Sequence, residues 1–283
     1  MTEALRPWTL DEALALRAAH PDATVVAGGT DLMVGVNFGR TEPSCVLDLS
    51  RIDELTAWAR DESVISVGAR VTFSRIADEL DDLTALAEAA ATVGSPQIRN
   101  RATLGGNIVT ASPAGDGIAA LAAYDASIVV ASQGAGERRI PWNEFFLGPK
   151  HTALADDELV VAAEWEPVDG PGTFAKIGPR SAMVIAVASV CVQLDEPSHD
   201  VRIALGSVGP TVLRATRAEQ LMTQVDWNTP DERALQQAGE LAASDTHPID
   251  DLRGSAAYRR QAIEVLVRRA LSWTLAARTG VAA

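Results

Sequence analysis

Apolar positions along this chain change period several times, and each change predicts an element. Leu10, Ala13, Leu14 and Ala18 recur at helical spacing behind Thr9-Leu10-Asp11-Glu12, a capping box in which Thr9 accepts from a free N–H while Glu12 reaches back. Pro21 ends that helix. Continuous apolar runs at 23–27 and 45–49 read as buried strands, followed by a short helix from Arg51. A strand is predicted at 64–68 and an alanine-rich helix at 83–93, which Gly94 closes at positive φ and Pro96 cannot extend. A short helix at 118–123 and strands at 127–131 and 159–165 follow, with Gly134-Ala135-Gly136 as a hairpin turn.

Periodicity fails between Glu166 and Gly172, where Pro167, Gly170, Pro171 and Gly172 mark a linker. Beyond it lie strand signals at 173–177, 184–194 and 201–205, then helices. One helix opens at a second capping box, Thr229-Pro230-Asp231-Glu232, with Pro230 at the first helical position. A long terminal helix presents Tyr258, Ala262, Val265, Leu266, Ala270, Trp273 and Ala277 on one face. Strands followed by helices place the C-terminal part in the α+β class.

Composition narrows the function classes. With 283 residues and 47% hydrophobic content, the chain has ample material for two domains. A net charge of −14 with scattered basic residues argues against nucleic acid or an anionic membrane surface as partner. No signal-peptide pattern occurs at the N-terminus and no apolar run reaches membrane-spanning length, so the expectation is a cytoplasmic protein. Two cysteines, Cys45 and Cys191, sit in apolar strand-like runs as buried free thiols, too few for a four-cysteine iron–sulfur cluster. His20, His151, His199 and His247 are dispersed at expected surface positions with no metal-ligand spacing, and no Ser/His/Asp or Cys/His constellation can be assembled. Hence no catalytic residue and no metal ligand is expected on this chain.

The chemistry concentrates in two glycine-rich stretches, Val25-Val26-Ala27-Gly28-Gly29-Thr30-Asp31-Leu32 and Thr103-Leu104-Gly105-Gly106-Asn107 continuing through Ser112-Pro113-Ala114-Gly115-Asp116. A Gly-Gly pair removes two Cβ atoms, so the backbone can take positive φ and turn consecutive N–H groups toward phosphate oxygens. Neither stretch is a G-x-G-x-x-G or a G-x-x-x-x-G-K-[ST], which sets aside the common dinucleotide and P-loop sites.

In residues and order, the two stretches resemble the flavoprotein (medium) subunit of the molybdenum hydroxylases, the family of xanthine dehydrogenase and carbon monoxide dehydrogenase, where AGG[TH][DS]L and T-x-GGN segments hold FAD. The similarity continues through Val93-Gly94-Ser95-Pro96-Gln97-Ile98-Arg99-Asn100, Phe145-Phe146-Leu147-Gly148-Pro149 with Thr152 and Leu154, and Phe174-Ala175-Lys176. The form Asn-Ile-Val-Thr-Ala-Ser-Pro looks more like the xanthine dehydrogenase branch than the carbon monoxide branch, where His-Ala-Asp-Pro is usual.

The resemblance implies an α+β protein: a two-subdomain FAD-binding region of the vanillyl-alcohol-oxidase-like (PCMH) type at 1–167, with subdomains of about 1–57 and 58–167, and a C-terminal α+β domain at 168–283. The implied FAD-binding residues are Val26, Ala27, Gly28, Gly29, Thr30, Asp31 and Leu32 in the first stretch, and Thr103, Leu104, Gly105, Gly106 and Asn107 in the second. In the first stretch, backbone N–H groups and the Thr30 hydroxyl would serve the pyrophosphate. In the second, Thr103 and the Gly105 and Gly106 amides would reach phosphate or ribityl oxygens. Asp116 either accepts from a sugar hydroxyl or caps the helix behind it. Val93 and Val160 either line the flavin or belong to the core, and Lys176 is either an edge-strand lysine or a cation near the flavin. No histidine lies in either stretch to attach a flavin covalently. The implied role is electron transfer: a large molybdenum-cofactor subunit hydroxylates the substrate, a small subunit with 2Fe–2S clusters relays electrons, and FAD here reduces an acceptor such as NAD. The implied assembly is a heterotrimer or a dimer of heterotrimers. A self-sufficient FAD-dependent oxidase is the alternative, and a non-catalytic nucleotide-binding scaffold a further one.

Overall fold

The computed structural model describes residues 2–180 and 183–279. The chain packs into two compact units, interleaved in sequence: Met1–Arg75, Pro96–Ala111 and Ala126–Pro167 form the first, and Ile76–Ser95, Ser112–Asp125 and Val168–Ala283 the second. Helix and sheet are mixed in both, as the α+β expectation requires.

The first unit holds two main sheets. A parallel sheet has the order Glu3–Leu5, Cys45–Asp48, Thr24–Val26, with Cys45–Asp48 in the centre. An antiparallel sheet runs Trp58–Arg60, Ile65–Gly68, Leu159–Trp165, Ser127–Ser132, Gly136–Pro141, its last two strands joined by the Gly134 turn. Both sheets feed one core: Leu47, Leu49, Ile52 and Leu55 meet Val129, Ala131, Leu159 and Val161, with Ala13 and Leu14 added from helix Leu10–Ala19. Thr9 caps that helix and accepts from Glu12 N–H at 3.2 Å. Glu12 does not return to the cap residue: its carboxylate accepts from the Trp8 N–H one residue earlier, at 2.8 Å. The helix ends at Ala19, before Pro21.

The second unit is built on an antiparallel sheet in the order Gly172–Ile177, Ala188–Asp195, Asp200–Gly206, Leu213–Arg214. Ala188, Val190, Val192 and Leu194 enter a core with Ile263, Val267 and Leu271 of helix Ala256–Arg278 and with Ala238 and Ala242 of helix Glu232–Ser244. The intervening Ser189, Cys191 and Gln193 are buried too, because strand alternation turns them to the other face. Helices Thr84–Ala91 and Asp116–Ala123 pack against the sheet, and all eight residues of the latter are buried. An apolar sequence without a polar face therefore marks a helix enclosed on every side. Full burial raises the Cys191 thiol far above its ordinary range, which makes it an inert core residue.

Three expectations shift on the structure. The second glycine stretch is not an open loop: Leu104 to Thr110 form a helix with Thr103 as its N-cap. Helix Glu232–Ser244 is capped by Asp231, which accepts from Arg233 N–H at 3.0 Å, and not by Thr229, whose hydroxyl donates to Asp226 at 2.8 Å. Asp231 is extended at φ −72°, ψ 128°, so Pro230 precedes the cap and is not the first helical residue. The buried stripe of the terminal helix is rotated from the expected one: Ala262, Leu266 and Ala270 are inside, but so are Arg259 and Thr274, while Tyr258 and Trp273 are exposed. Polar residues on the inner face had disguised it.

The cap assignment makes a measurable distinction. Asp231→Ala should destabilise the chain by about 1 kcal/mol and Thr229→Ala by clearly less. Urea unfolding of both variants checks this, and the reverse order would restore Thr229 as the cap.

Candidate functional site

The first glycine stretch leaves strand Thr24–Val26 and turns into the short helix Leu32–Asn37. Its two glycines have different causes. A Cβ on Gly28 would lie far inside contact distance of the Arg101 carbonyl oxygen and within 3.1 Å of Ala102 Cα, so this position lets the turn rest on the backbone of residues 101–102. Gly29 takes φ +75°, the left-handed region that favours glycine, and a Cβ there would meet only ordinary contacts. The turn bonds through carbonyls: Gly29 O accepts from Met33 N–H, and Asp31 O from Val34 and Gly35 N–H. Among the described residues, the amide N–H groups of Gly28, Gly29, Thr30, Asp31 and Leu32 donate to no protein acceptor. Five successive unengaged donors on one turn are the kind of backbone group that suits an anion.

The second stretch differs from its sequence reading. Gly105 N–H donates to Ala69 O at 2.8 Å, Gly106 N–H to Thr103 Oγ1 at 3.1 Å, Leu104 N–H to Val71 O and Asn107 N–H to Thr103 O. The expected Gly105 and Gly106 donors are thus engaged within the chain. A Cβ on Gly105 would collide with Ala69, whereas a Cβ on the exposed Gly106 would approach only Thr103 Oγ1, at 3.1 Å. Gly105 is a packing glycine; Gly106 is exposed and limited only by the Thr103 hydroxyl. Among the described residues, the segment leaves available the Thr103 hydroxyl proton and the Asn107 side chain, whose Oδ1 is buried without a partner. The Leu104 side chain is fully buried, and Val160 is a buried residue of strand Leu159–Trp165 beside a bulge.

In the second unit the structure joins two residues that the sequence treats separately. Lys176 Nζ pairs with Asp116 Oδ2 at 2.5 Å, with both side chains almost fully buried, and also donates to Thr92 O at 2.9 Å and Val184 O at 3.4 Å. Lys176 is therefore not a solvated edge lysine. Asp116 is the first residue of its helix and not its cap, which is Gly115. Burial pushes the Asp116 carboxyl above the ordinary carboxylate range, and Lys176 pulls it back. Among the described residues its Oδ1 is buried with no partner, which leaves one strong acceptor unused. Val93 lies after helix Thr84–Ala91, half-buried, and Gly94 follows at φ +49°.

The sequence from 1 to 164 matches the model of the FAD-binding domain in molybdopterin dehydrogenase, and residues 173–274 match the C-terminal domain of the carbon monoxide dehydrogenase flavoprotein. The chain belongs to the molybdenum hydroxylase flavoprotein family. It is similar to the xanthine dehydrogenase FAD-binding subunit of Escherichia coli O157:H7, 30% identical over 97% of this chain and 96% of that one. Similarity to the carbon monoxide dehydrogenase medium chain of Hydrogenophaga pseudoflava is 31%, over 94% of each. The solved carbon monoxide dehydrogenase of that organism, in a form lacking the Mo-pyranopterin moiety, contains a chain that superposes with a TM-score of 0.89 at 31% identity, covering 98% of each. Nearly equal identities give no preference between the two branches. As a member of this family the chain is the FAD-binding medium subunit of a molybdenum hydroxylase-type dehydrogenase, an oxidoreductase component.

The residues present fit FAD. The unengaged amides of residues 28–32 suit a diphosphate, and the orphaned oxygens of Asn107 and Asp116 suit hydroxyl or N–H donors. Sequence reading missed the groups that support these: the Arg101–Ala102 backbone under Gly28, Ala69 under Gly105, and Thr92, which ties to both Lys176 and Asp116. Backbone atoms and small residues carry no signal of their own in a single sequence.

The two kinds of glycine separate experimentally. Gly28→Ala should lose about 1–3 kcal/mol of stability by overpacking and lose FAD with it. Gly106→Val should keep its fold, since helix propensity favours Val over Gly and the added Cβ approaches only Thr103 Oγ1, yet fail to hold FAD. Thermal unfolding beside flavin absorbance checks the pair; full FAD occupancy in folded Gly106→Val would remove that face from the site.

Proposed function

We propose that this chain is the electron-transfer flavoprotein of a three-subunit molybdenum hydroxylase, taking electrons from iron–sulfur clusters on a small partner and delivering them to an acceptor such as NAD. The observation that carries the reading is the run of five unengaged amides at residues 28–32, joined by Gly28 to the segment that opens the second glycine stretch. In this reading residues 26–32 hold the FAD pyrophosphate through backbone donors, without a lysine. Thr103 and Asn107 offer a hydroxyl donor and an amide to the cofactor's polar oxygens, and Leu104, Gly105 and Gly106 shape the turn that presents them. Asp116 accepts a cofactor donor through Oδ1 while Lys176 holds its other oxygen, and Val93 and Val160 supply apolar surface. When bound, FAD supplies the two-electron chemistry that no side chain here provides.

The family names support a shared assembly, since the relatives are called subunits or medium chains. A large molybdenum-cofactor subunit and a small 2Fe–2S subunit complete the proposed heterotrimer, single or doubled, in the cytoplasm. Among the described residues no helix is long and apolar enough to cross a membrane, and no group of His, Cys, Asp or Glu could hold a metal ion. The proposed modular boundary is at 167/168, with the FAD region subdivided near 57/58.

Purified chain should bind about one FAD that acid precipitation releases, since no histidine lies within residues 25–32 or 103–107 to hold it covalently. It should remain oxidised in the presence of purines or other N-heterocycles until the partner subunits are added. Rapid flavin reduction by such a substrate, with iron and molybdenum removed, would favour the self-sufficient oxidase. A folded chain that takes up no flavin would favour the scaffold.

A further inference from the structure

The terminal helix carries a buried arginine that the proposed flavin site has not used. Arg259 is 2% exposed, on a face otherwise filled by Ala262, Ile263, Leu266 and Val267. A guanidinium there is costly unless its donors are placed. Arg259 Nη1 donates to Val187 O at 2.6 Å and to Ser207 O at 3.0 Å, and Nη2 to Asp251 Oδ1 at 2.6 Å. Asp251 in turn is held by the N–H groups of Arg253 and Gly254, so the ion pair is anchored to a fixed turn.

Ser207 is the informative partner. It takes φ +65°, a region that a non-glycine residue occupies only under constraint. Three bonds impose it: its carbonyl accepts from Arg259, its hydroxyl donates to Ala186 O at 2.9 Å, and its N–H donates to Pro113 O at 2.7 Å. Pro113 belongs to the Ser112–Gly115 turn that delivers Asp116, where Gly115 N–H returns to Ser112 O at 2.9 Å and Ala114 N–H to Ser112 Oγ. Directly before Ser207, Gly206 lies close under the same carbonyl: a Cβ there would stand 3.5 Å from Pro113 O and collide with Ser189 Oγ. Residues 184–187 are pinned by the same set of groups, since Lys176 reaches Val184 O, Ser207 reaches Ala186 O and Arg259 reaches Val187 O.

We propose that Arg259 is a positioning residue for the flavin site: through Ser207 and Pro113 it fixes the turn that aims the unpartnered Oδ1 of Asp116. The proposal rests on the reading of Asp116 as a cofactor acceptor. It assigns Arg259 no contact with the cofactor. Its effect reaches FAD only through Asp116, and this separates it from a general contribution to stability.

The test is a double-mutant cycle on the full chain, read by FAD dissociation constant from flavin fluorescence and by the visible circular dichroism of bound flavin. Asp116→Asn and Arg259→Lys are each expected to weaken FAD binding about tenfold, the size of one lost buried hydrogen bond. The double variant should bind no more weakly than Asp116→Asn alone. Asp251→Asn, which loosens Arg259 without removing it, should give a smaller loss in the same direction and keep the fold if Arg259→Lys does not. Leu271→Ala, on the same buried face but outside the relay, should lower the unfolding temperature and leave FAD affinity and the flavin dichroism unchanged. Additive losses in the double variant, or equal losses in Leu271→Ala, overturn the relay while leaving the flavin reading intact. Unchanged affinity in Asp116→Asn overturns the relay and the assignment of Asp116 together, and a wild-type chain that binds no FAD overturns the flavin reading itself.

Discussion

The missing Cβ of Gly28 is the constraint on which the first unit's site depends. It lets one turn lie directly on the backbone of residues 101–102, and from there a series of main-chain contacts continues inward. Ala102 O accepts from Phe73 N–H, Leu104 N–H donates to Val71 O, Gly105 N–H to Ala69 O, and Ala69 N–H to Val161 O in the central strand of the five-stranded sheet. The donors of residues 28–32 are therefore tied to a rigid sheet without one long side chain in the path. Side chains lose rotamer freedom when fixed, and backbone already ordered by a sheet loses none further. The glycines and alanines at 28, 69, 102 and 105 are small for that reason.

The second unit solves its placement problem by the opposite means. Lys176 and Asp116 form a charged pair inside the protein, and such a pair contributes little net stability once desolvation is counted. Losing either partner is different, because the remaining charge is buried alone. What the pair supplies is orientation: Lys176 binds one carboxylate oxygen, Thr92 O and Val184 O together, which leaves the other carboxylate oxygen fixed and unshared. A buried acceptor without a partner costs free energy, and a hydroxyl or N–H donor placed at that oxygen would recover it.

The elements most visible in the sequence were those whose pattern had one cause. Strand Leu159–Trp165 matches its apolar run residue for residue, and Ser127–Ser132 and Asp200–Gly206 differ from theirs by a residue at one or both ends. The terminal helix misled in phase because Arg259 and Thr274 occupy inward positions that a hydrophobic stripe cannot reveal. Gly105 and Gly106 misled in mechanism: Gly-Gly marks a place where Cβ is unwelcome, but sequence does not say whether backbone or ligand takes the space. Here the Ala69 backbone and Cβ take it at one, and only the Thr103 hydroxyl approaches it at the other. The Lys176–Asp116 pair, sixty positions apart, was legible only as two separate residues. The family resemblance supplied the cofactor, and the structure shows which polar groups, among the described residues, are left without a partner.

The two constructions differ in what each can do for a charged ligand. A pyrophosphate keeps its charge when the ring it is attached to gains electrons, so donors that meet only the pyrophosphate bind oxidised and reduced cofactor alike. Such uniform binding retains the cofactor and leaves its potential unchanged, because only a difference in affinity between two states shifts their equilibrium. Backbone amides suit this role, since they do not titrate and, through Gly28 on Arg101 and Gly105 on Ala69, are packed on ordered backbone. Any shift of potential must come from groups whose interaction changes with the charge of the ring. Among the described residues Lys176 and Asp116 form a buried titratable pair with one carboxylate oxygen left unused, and a lysine already matched by a carboxylate stabilises added negative charge less than a free one would.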